Sequence, residues 1–355
     1  MSSIFTNNSA IAALQTLRNV NSSLQDTQQR VSSGYRVDKA ADNAAYWSIA
    51  TTMRSDNKAT SAVHDSIGLG QAILDTTYTG MSQIIEEMSS IKALLVTAKS
   101  LPTPATSNTT FWYSPGTDPL YEGSSVAKVD AEIVQHFRQV NSIINSSSYN
   151  GVNLLRNDTT DPLPGSTTEF VIGYSGGKVQ TASLPKSDTV MVNYNRKLDG
   201  FWTTVGHEEF GLLDELLPFG YANNSLTYYD SISGTVQEMQ SDYFLHDGES
   251  YMAHVGVFER QQEYDSLIQY FEVRMQAVQA GAASVGSMQK RLEMQEEFTK
   301  GLMEDTTTGI GRLVDADMEE ESSKLTALQT QQQLAVQSLS IANNAPKNIL
   351  TLFRG

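Results

Sequence analysis

Apolar residues recur at spacings of three and four near the start of the chain: Ala10, Leu14, Leu17, Val20, Leu24 and, after one seven-residue gap, Val31. That spacing predicts a helix with a single apolar stripe, its other faces being Gln, Asn, Ser and Thr. So thin a stripe makes a marginal helix in water, and the segment needs a partner. The far end supplies one. From Val314 onward an a/d-like seam reads Met318, Glu321, Leu325, Leu328, Gln332, Ala335, Leu339 and Ala342. It spans about four heptads with two polar members, within coiled-coil range. Asp315 and Asp317 suit the positive end of this helix, and Pro346 is expected to end or kink it. Ile349, Leu350, Leu352 and Phe353 form an apolar tip.

Three more helical tracts lie between these ends. Residues 43–100 carry Ile49, Met53, Ile67, Ile73, Met81, Ile84, Ile85, Met88, Ile91 and Leu95, with an interruption expected near Gly68 and Gly70. Residues 125–146 carry the cleanest stripe, Val126, Val129, Ile133, Phe137, Val140 and Ile144. Residues 263–305 continue with Phe271, Met275, Val278, Ala282, Val285, Leu292 and Leu302. At ~1.5 Å per residue the last tract is a rod on the order of 60 Å long, suited to side-by-side packing rather than to enclosing a small-molecule pocket.

Between about 156 and 260 the pattern changes. TTEFVIGYSGGKVQTASL reads as a hairpin, with Phe170, Ile172 and Tyr174 alternating before Gly176-Gly177. Residues 101–124, with Pro102, Pro104, Pro115 and Pro119, read as a long loop. The predicted fold class is therefore mainly α: long antiparallel helical rods and a terminal coiled coil, with a small β-rich or mixed domain inserted in the middle.

Charge removes one class of partner. The 24 basic and 40 acidic residues leave a net charge of −16 and no basic face. Nucleic acid, which is held by Lys and Arg on phosphates, is excluded, and the acidity reads as solubility. There is no cysteine, which fits a chain that crosses compartments unfolded. The stretch MSSIFTNNSAIAALQTL lacks the basic and apolar regions of a Sec-type signal, and no run approaches the ~18 apolar residues of a membrane helix. An extracellular location requires another export route.

Candidate chemistry is weak throughout. His207-Glu208 opens like the zinc motif H-E-x-x-H, but the fifth position is Gly211, and only an unsupported fold brings His246 or His254 to it. GYSGGK, ending at Lys178 and followed by Val179, has the wrong glycine spacing for a phosphate loop and reads as a turn. Gly68-Leu69-Gly70 lacks the third glycine of a dinucleotide fingerprint. Glu319, Glu320 and Glu321 read as a solvated face at a helix start. No catalytic residue, metal site or cofactor is expected; nucleophilic catalysis has no Cys and no Ser/His motif to work with.

Three motifs carry a resemblance. RVSSGYRVDKAADNAAYWSIA (30–50) looks like the bacterial flagellin signature, through Ser32, Ser33, Gly34, Arg36, Ala41, Asp42, Ala44, Ala45 and Ile49. YNGVNLL (149–155) is similar to the turn that closes the second flagellin helix, and residues 312–354 resemble the family's C-terminal helix through to its LFR ending. The resemblance covers residues 1–155 and 265–355; the short insert and the LFRG ending look like alphaproteobacterial flagellins.

The resemblance implies a structural, non-enzymatic subunit of the flagellar filament, a helical homopolymer that acts as a propeller. It implies an inner coiled-coil domain of residues 1–42 and 314–355, a helical rod domain of 43–155 and 265–313, and a variable outer domain of 156–264. It assigns assembly contacts to Leu14, Leu17, Leu24, Val31, Leu325, Leu328, Leu339, Ile349, Leu352, Phe353 and Arg354. Ser32, Ser33, Gly34, Arg36, Asp42, Ala44 and Ala45 become the joint between layers. Implied partners are further copies, sibling flagellins, the flagellar type III export apparatus and its chaperone, the filament cap and the hook–filament junction proteins. Implied too is an extracellular site in the filament, with neither membrane nor nucleic acid bound. One departure stands out: Ser90, Lys92 and Ala93 occupy positions where many flagellins carry Arg, Arg and Glu seen by an innate immune receptor, so weak recognition is expected. Competing readings are a hook–filament junction protein, a flagellin bearing a metal hydrolase as its insert, and a free coiled-coil adhesin that forms discrete oligomers.

Overall fold

The computed structural model describes residues 7–105, 118–158, 163, 165–194, 211–213, 227–230, 235–238, 244–255 and 260–352. Helix α1 spans Asn8–Ser33, α2 Ala44–Ser100, α3 Pro119–Glu122, α4 Ser125–Ser146, α5 His246–Val255, α6 Arg260–Val314 and α7 Met318–Leu352. The strands are β1 (Arg156–Asn157), β2 (Thr167–Ser175), β3 (Lys178–Pro185), β4 (Val192–Asn193), β5 (Thr227–Asp230) and β6 (Thr235–Glu238). The chain makes two compact units, Met1–Ser61 with Lys300–Gly355, and Ala62–Thr299.

The mainly-α expectation holds. In the unit Ala62–Thr299 the core is built from three helical stripes: Ile67, Leu74, Met81, Ile84, Ile91 and Leu95 of α2, Val126, Ile133, Val140 and Ile144 of α4, and Phe271, Val278, Val285 and Leu292 of α6. Antiparallel side-by-side packing of α2 and α6 is marked by Lys92 with Glu272, Lys99 with Asp265 and Gln71 with Glu296. The predicted hairpin forms as β2 and β3, antiparallel from Thr167 opposite Pro185 to Ser175 opposite Lys178, with a register shift between Val171 and Gly173. Its turn glycines Gly176 and Gly177 have φ of 59° and 79°, a region costly for residues with a Cβ. Phe170, Ala182 and Leu184 place one face of the hairpin in the same core as the helices, as do Met191 and Val192 near the β1–β4 pair. Residues 156–157, 167–185 and 192–193 thus pack with the helical body.

Three sequence expectations are corrected. First, α2 runs through Gly68 and Gly70 without a break. A Cβ on Gly70 would lie 3.1 Å from the Phe170 ring and 3.2 Å from Leu292, so this glycine serves close approach of the hairpin rather than helix termination. Second, the loop at 101–124 contains the helical turn α3, started by Asp118 as N-cap with Pro119 in its first turn. Third, Pro346 does not end α7, which continues to Leu352.

Gly281 on α6 lies against the turn Lys186–Asp188, and a Cβ there would overlap the Asp188 carbonyl oxygen, with Met81 Cε 3.0 Å away. A backbone atom cannot step aside as a side-chain tip can. Gly281→Ala is therefore expected to destabilise the protein by about 2–3 kcal/mol. Gly68→Ala, with nothing within 4 Å of its Cβ, should instead stabilise by about 0.5–1 kcal/mol. Urea unfolding of both variants checks the pair, and a destabilising Gly68→Ala or a neutral Gly281→Ala contradicts it.

Candidate assembly site

The two chain ends meet as the antiparallel pair α1 and α7. Three polar contacts mark the alignment: Asn7 Nδ2 to the Ala342 carbonyl (2.7 Å), Gln332 Nε2 to Asn21 Oδ1 (2.8 Å), and Arg30 Nη1 to Glu321 Oε1 (3.0 Å). Between them Leu24, Leu328 and Ala335 are buried, and Leu17, Val31, Leu325 and Leu339 are half-buried. The seven-residue gap in the first stripe is filled by Thr27, which is only 2% exposed. Leu14 stays exposed while half-buried Ala13 takes the seam. Both polar members of the second seam therefore have a partner on α1. Glu321 corrects the reading of a wholly solvated acidic face: Glu319 and Glu320 are exposed, but Glu321 is buried. Its second oxygen, Oε2, is enclosed with no hydrogen-bond partner among the described residues. The backbone of α7 carries Ile349 and Leu352, whose side chains lie outside the described residues, as do Phe353 and Arg354 altogether.

The joint follows from helix-end chemistry. Gly34 caps α1 in the left-handed region (φ 75°), its N–H donating to the Arg30 carbonyl at 2.8 Å. The chain then clips onto the end of α6: Arg36 and Val37 N–H groups donate to the Val314 carbonyl (2.7 and 3.1 Å), and Ala316 N–H donates to the Gly34 carbonyl (2.9 Å). The Arg36 guanidinium reaches the Leu313 carbonyl at 3.1 Å, a cation at the negative end of a helix. Ser33 Oγ accepts from Tyr35 N–H, while Ser32 is exposed. Asp42 accepts from Lys39 and Asp38 N–H groups, and these bonds hold its carboxyl below the usual range. Asn43 then caps α2 through Ala45 and Tyr46 N–H, and Asp317 caps α7 through Glu319 and Glu320 N–H. Val37, Ala50, Ile310 and Val314 form a small core here.

Large apolar side chains remain uncovered in this unit. Ile341 is 72% exposed, Leu334 and Ile11 56%, Val336 52% and Ile49 49%, with Tyr46 and Trp47 exposed beside Ala44 and Ala45.

Sequence reasoning missed a buried polar network in the other unit. Asp130, fully buried on α4, accepts Phe244 and Leu245 N–H at 2.7 and 2.9 Å and the Tyr121 hydroxyl at 2.7 Å. Asp118 lies 3.3 Å from His246 Nε2. Glu249 accepts Arg260 Nε (2.8 Å) and the Tyr264 hydroxyl (2.7 Å), and Arg260 also donates to the Ala98, Lys99 and Leu101 carbonyls at the end of α2. The signal available in sequence was Asp118-Pro119, an N-cap followed by a helix-starting proline.

No group of three or more His, Asp or Glu suited to a metal occurs among the described residues. His246 is engaged with Asp118, while His207 and Glu208 lie outside those residues. No helix among the described residues is long and apolar enough to cross a membrane.

Long side-by-side helices and paired chain ends that leave apolar side chains uncovered are the architecture of a structural protein. Residues 4–110 match the bacterial flagellin N-terminal helical region and residues 268–353 the bacterial flagellin C-terminal helical region. The chain is 39% identical over 363 residues to Flagellin C of Rhizobium meliloti (strain 1021). It is 36% identical over 424 residues to Flagellin A of Rhizobium meliloti and 33% identical over 358 residues to Flagellin of Brucella melitensis biotype 1. Each alignment covers all of both chains. The chain belongs to the bacterial flagellin family, whose members are structural, non-enzymatic subunits of the flagellar filament.

Burial pushes the Asp130 carboxyl up from 3.8 to about 6, outweighing its hydrogen bonds. A carboxyl raised in the folded state binds more protons than the unfolded chain between these values. Its contribution is therefore full below about 4 and falls as pH rises to about 6. Asp130→Asn keeps an oxygen for the two backbone amides and should abolish that dependence, worth up to about 3 kcal/mol. The difference in unfolding free energy between variant and parent, followed from pH 4 to 7, is expected to move in favour of the variant as pH rises; a constant difference contradicts the assignment.

Proposed function

We propose that this flagellin polymerises through α1 and α7, and that these helices are ordered only in the filament. The observation that carries the reading is the uncovered apolar side chains Ile11, Leu334, Val336 and Ile341 on a helix pair whose own seam is narrow and partly polar. Burying so few apolar groups does little to offset the ordering of two long segments, and stacking of further copies supplies the missing surface. Leu14, Leu17, Leu24, Val31, Leu325, Leu328, Leu339, Ile349, Leu352, Phe353 and Arg354 act in this contact, directly or by shaping the seam. Residues 32–36 with Asp42, Ala44 and Ala45 turn the chain between layers.

In this reading residues 1–42 and 314–355 form the inner layer, 43–155 and 265–313 the surrounding tube, and 156–264 the outer part. The subunit travels unfolded by the flagellar type III route, attended by a chaperone, and is placed beneath a filament cap beyond the junction proteins; sibling flagellins can join it. A chain without cysteine suits such passage, since no crosslink can form on the way.

Two measurements test the reading. Removal of residues 1–33 or 314–355 should abolish filaments in sedimentation and negative-stain microscopy, and Ile341→Glu should impair them without loss of the α2–α4–α6 core. Long fibres from a truncated chain overturn it. Innate-receptor recognition should be weak as well, because Lys92 is paired with Glu272 and Met88, Ile91 and Leu95 face the core. Full potency of purified monomer in a receptor-reporter assay contradicts that expectation.

A further inference from the structure

A proline inside a helix leaves one carbonyl without its usual donor. In α7 that carbonyl belongs to Ala342, because the nitrogen four residues on is that of Pro346 and carries no hydrogen. The Ala342 oxygen instead accepts from the side chain of Asn7, at 2.7 Å. Asn7 is also the N-cap of α1, its Oδ1 accepting Ala10 N–H at 3.1 Å. One amide therefore starts the first helix and completes the last.

We propose that Asn7 and Pro346 form a register key, which selects the single alignment in which α1 and α7 pair. The inference rests on the reading that these helices pair in the filament. Antiparallel helices with a thin seam of Leu, Val and Ala can re-pair after a slip of one heptad, since small and medium residues recur on both. Such a slip moves each polar partner by about 10 Å. Asn7 then loses the Ala342 carbonyl, Asn21 loses Gln332, and buried Glu321 loses Arg30. The key differs from the other two contacts in being made by the backbone of α7. It is therefore specified by the position of Pro346 rather than by a side chain opposite.

The test is a double-mutant cycle on filaments of the full chain. Asn7→Ser keeps a capping oxygen but removes the amide donor. It should raise the critical concentration for polymerisation about fivefold. In a Pro346→Ala background, where a backbone N–H again serves the Ala342 carbonyl, Asn7→Ser should have no effect. Should Asn7→Ser prevent assembly outright, restoration by Pro346→Ala supports the key and its absence refutes it. An equal effect in both backgrounds, or none in the parent, overturns the key while leaving the assembly reading intact. Failure of the parent chain to polymerise overturns both.

Discussion

The narrowness of the seam between α1 and α7 is the constraint on which the rest depends. Its buried members are Leu24, Thr27, Leu328, Ala335 and Glu321, a set that includes a hydroxyl, a methyl and a carboxylate. A seam of leucines throughout would make a stable hairpin of the free chain. Here Glu321 finds Arg30 across the pair, and half of its carboxylate has no partner at all among the described residues. Removing a buried charge from water is repaid only with good geometry and further hydrogen bonds. Specific alignment is obtained at the expense of strength, and apolar side chains around Ile341 stay uncovered in the single chain.

The joint works on a different principle. Almost nothing between Ser33 and Asn43 is held by apolar burial except Val37; the path is fixed by the groups that helix ends leave unpaired. Gly34 and Arg36 engage the last carbonyls of α1 and α6, and Asn43 and Asp317 engage the first amides of α2 and α7. Four helix termini are satisfied within a few residues. The small side chains there, Ala44 and Ala45, are exposed in the single chain and leave room for a close approach from outside.

Much of this was legible in the sequence because period and capping chemistry are local. The stripes of α2, α4 and α6, the hairpin and the seam of α7 follow from spacing, although Ile49, Leu302 and Met318, placed on them by that spacing, are exposed. What escaped was decided by partners far along the chain. Gly70 looked like a breaker because Phe170 was not yet beside it, and Pro346 looked like a terminator because the donor replacing its missing N–H comes from Asn7. Glu321 looked solvated because Arg30 lies 291 residues away. The network of Asp118, Tyr121, Asp130, His246, Glu249 and Arg260 had no periodic signature, since its members sit on short turns and at helix ends.

That network also fixes where the chain re-enters the helical body. Asp118, residues 244–245 and Arg260 are each tied through a buried carboxylate as well as by apolar packing. Apolar contacts tolerate sliding, whereas Asp130 receiving two consecutive backbone amides fixes residues 244–245 in position and direction together. Arg260 does the same for the start of α6, joining Glu249 to three carbonyls at the end of α2. Polar contacts thus fix alignment both at the chain ends and at the starts of α4, α5 and α6, and apolar burial supplies cohesion around them.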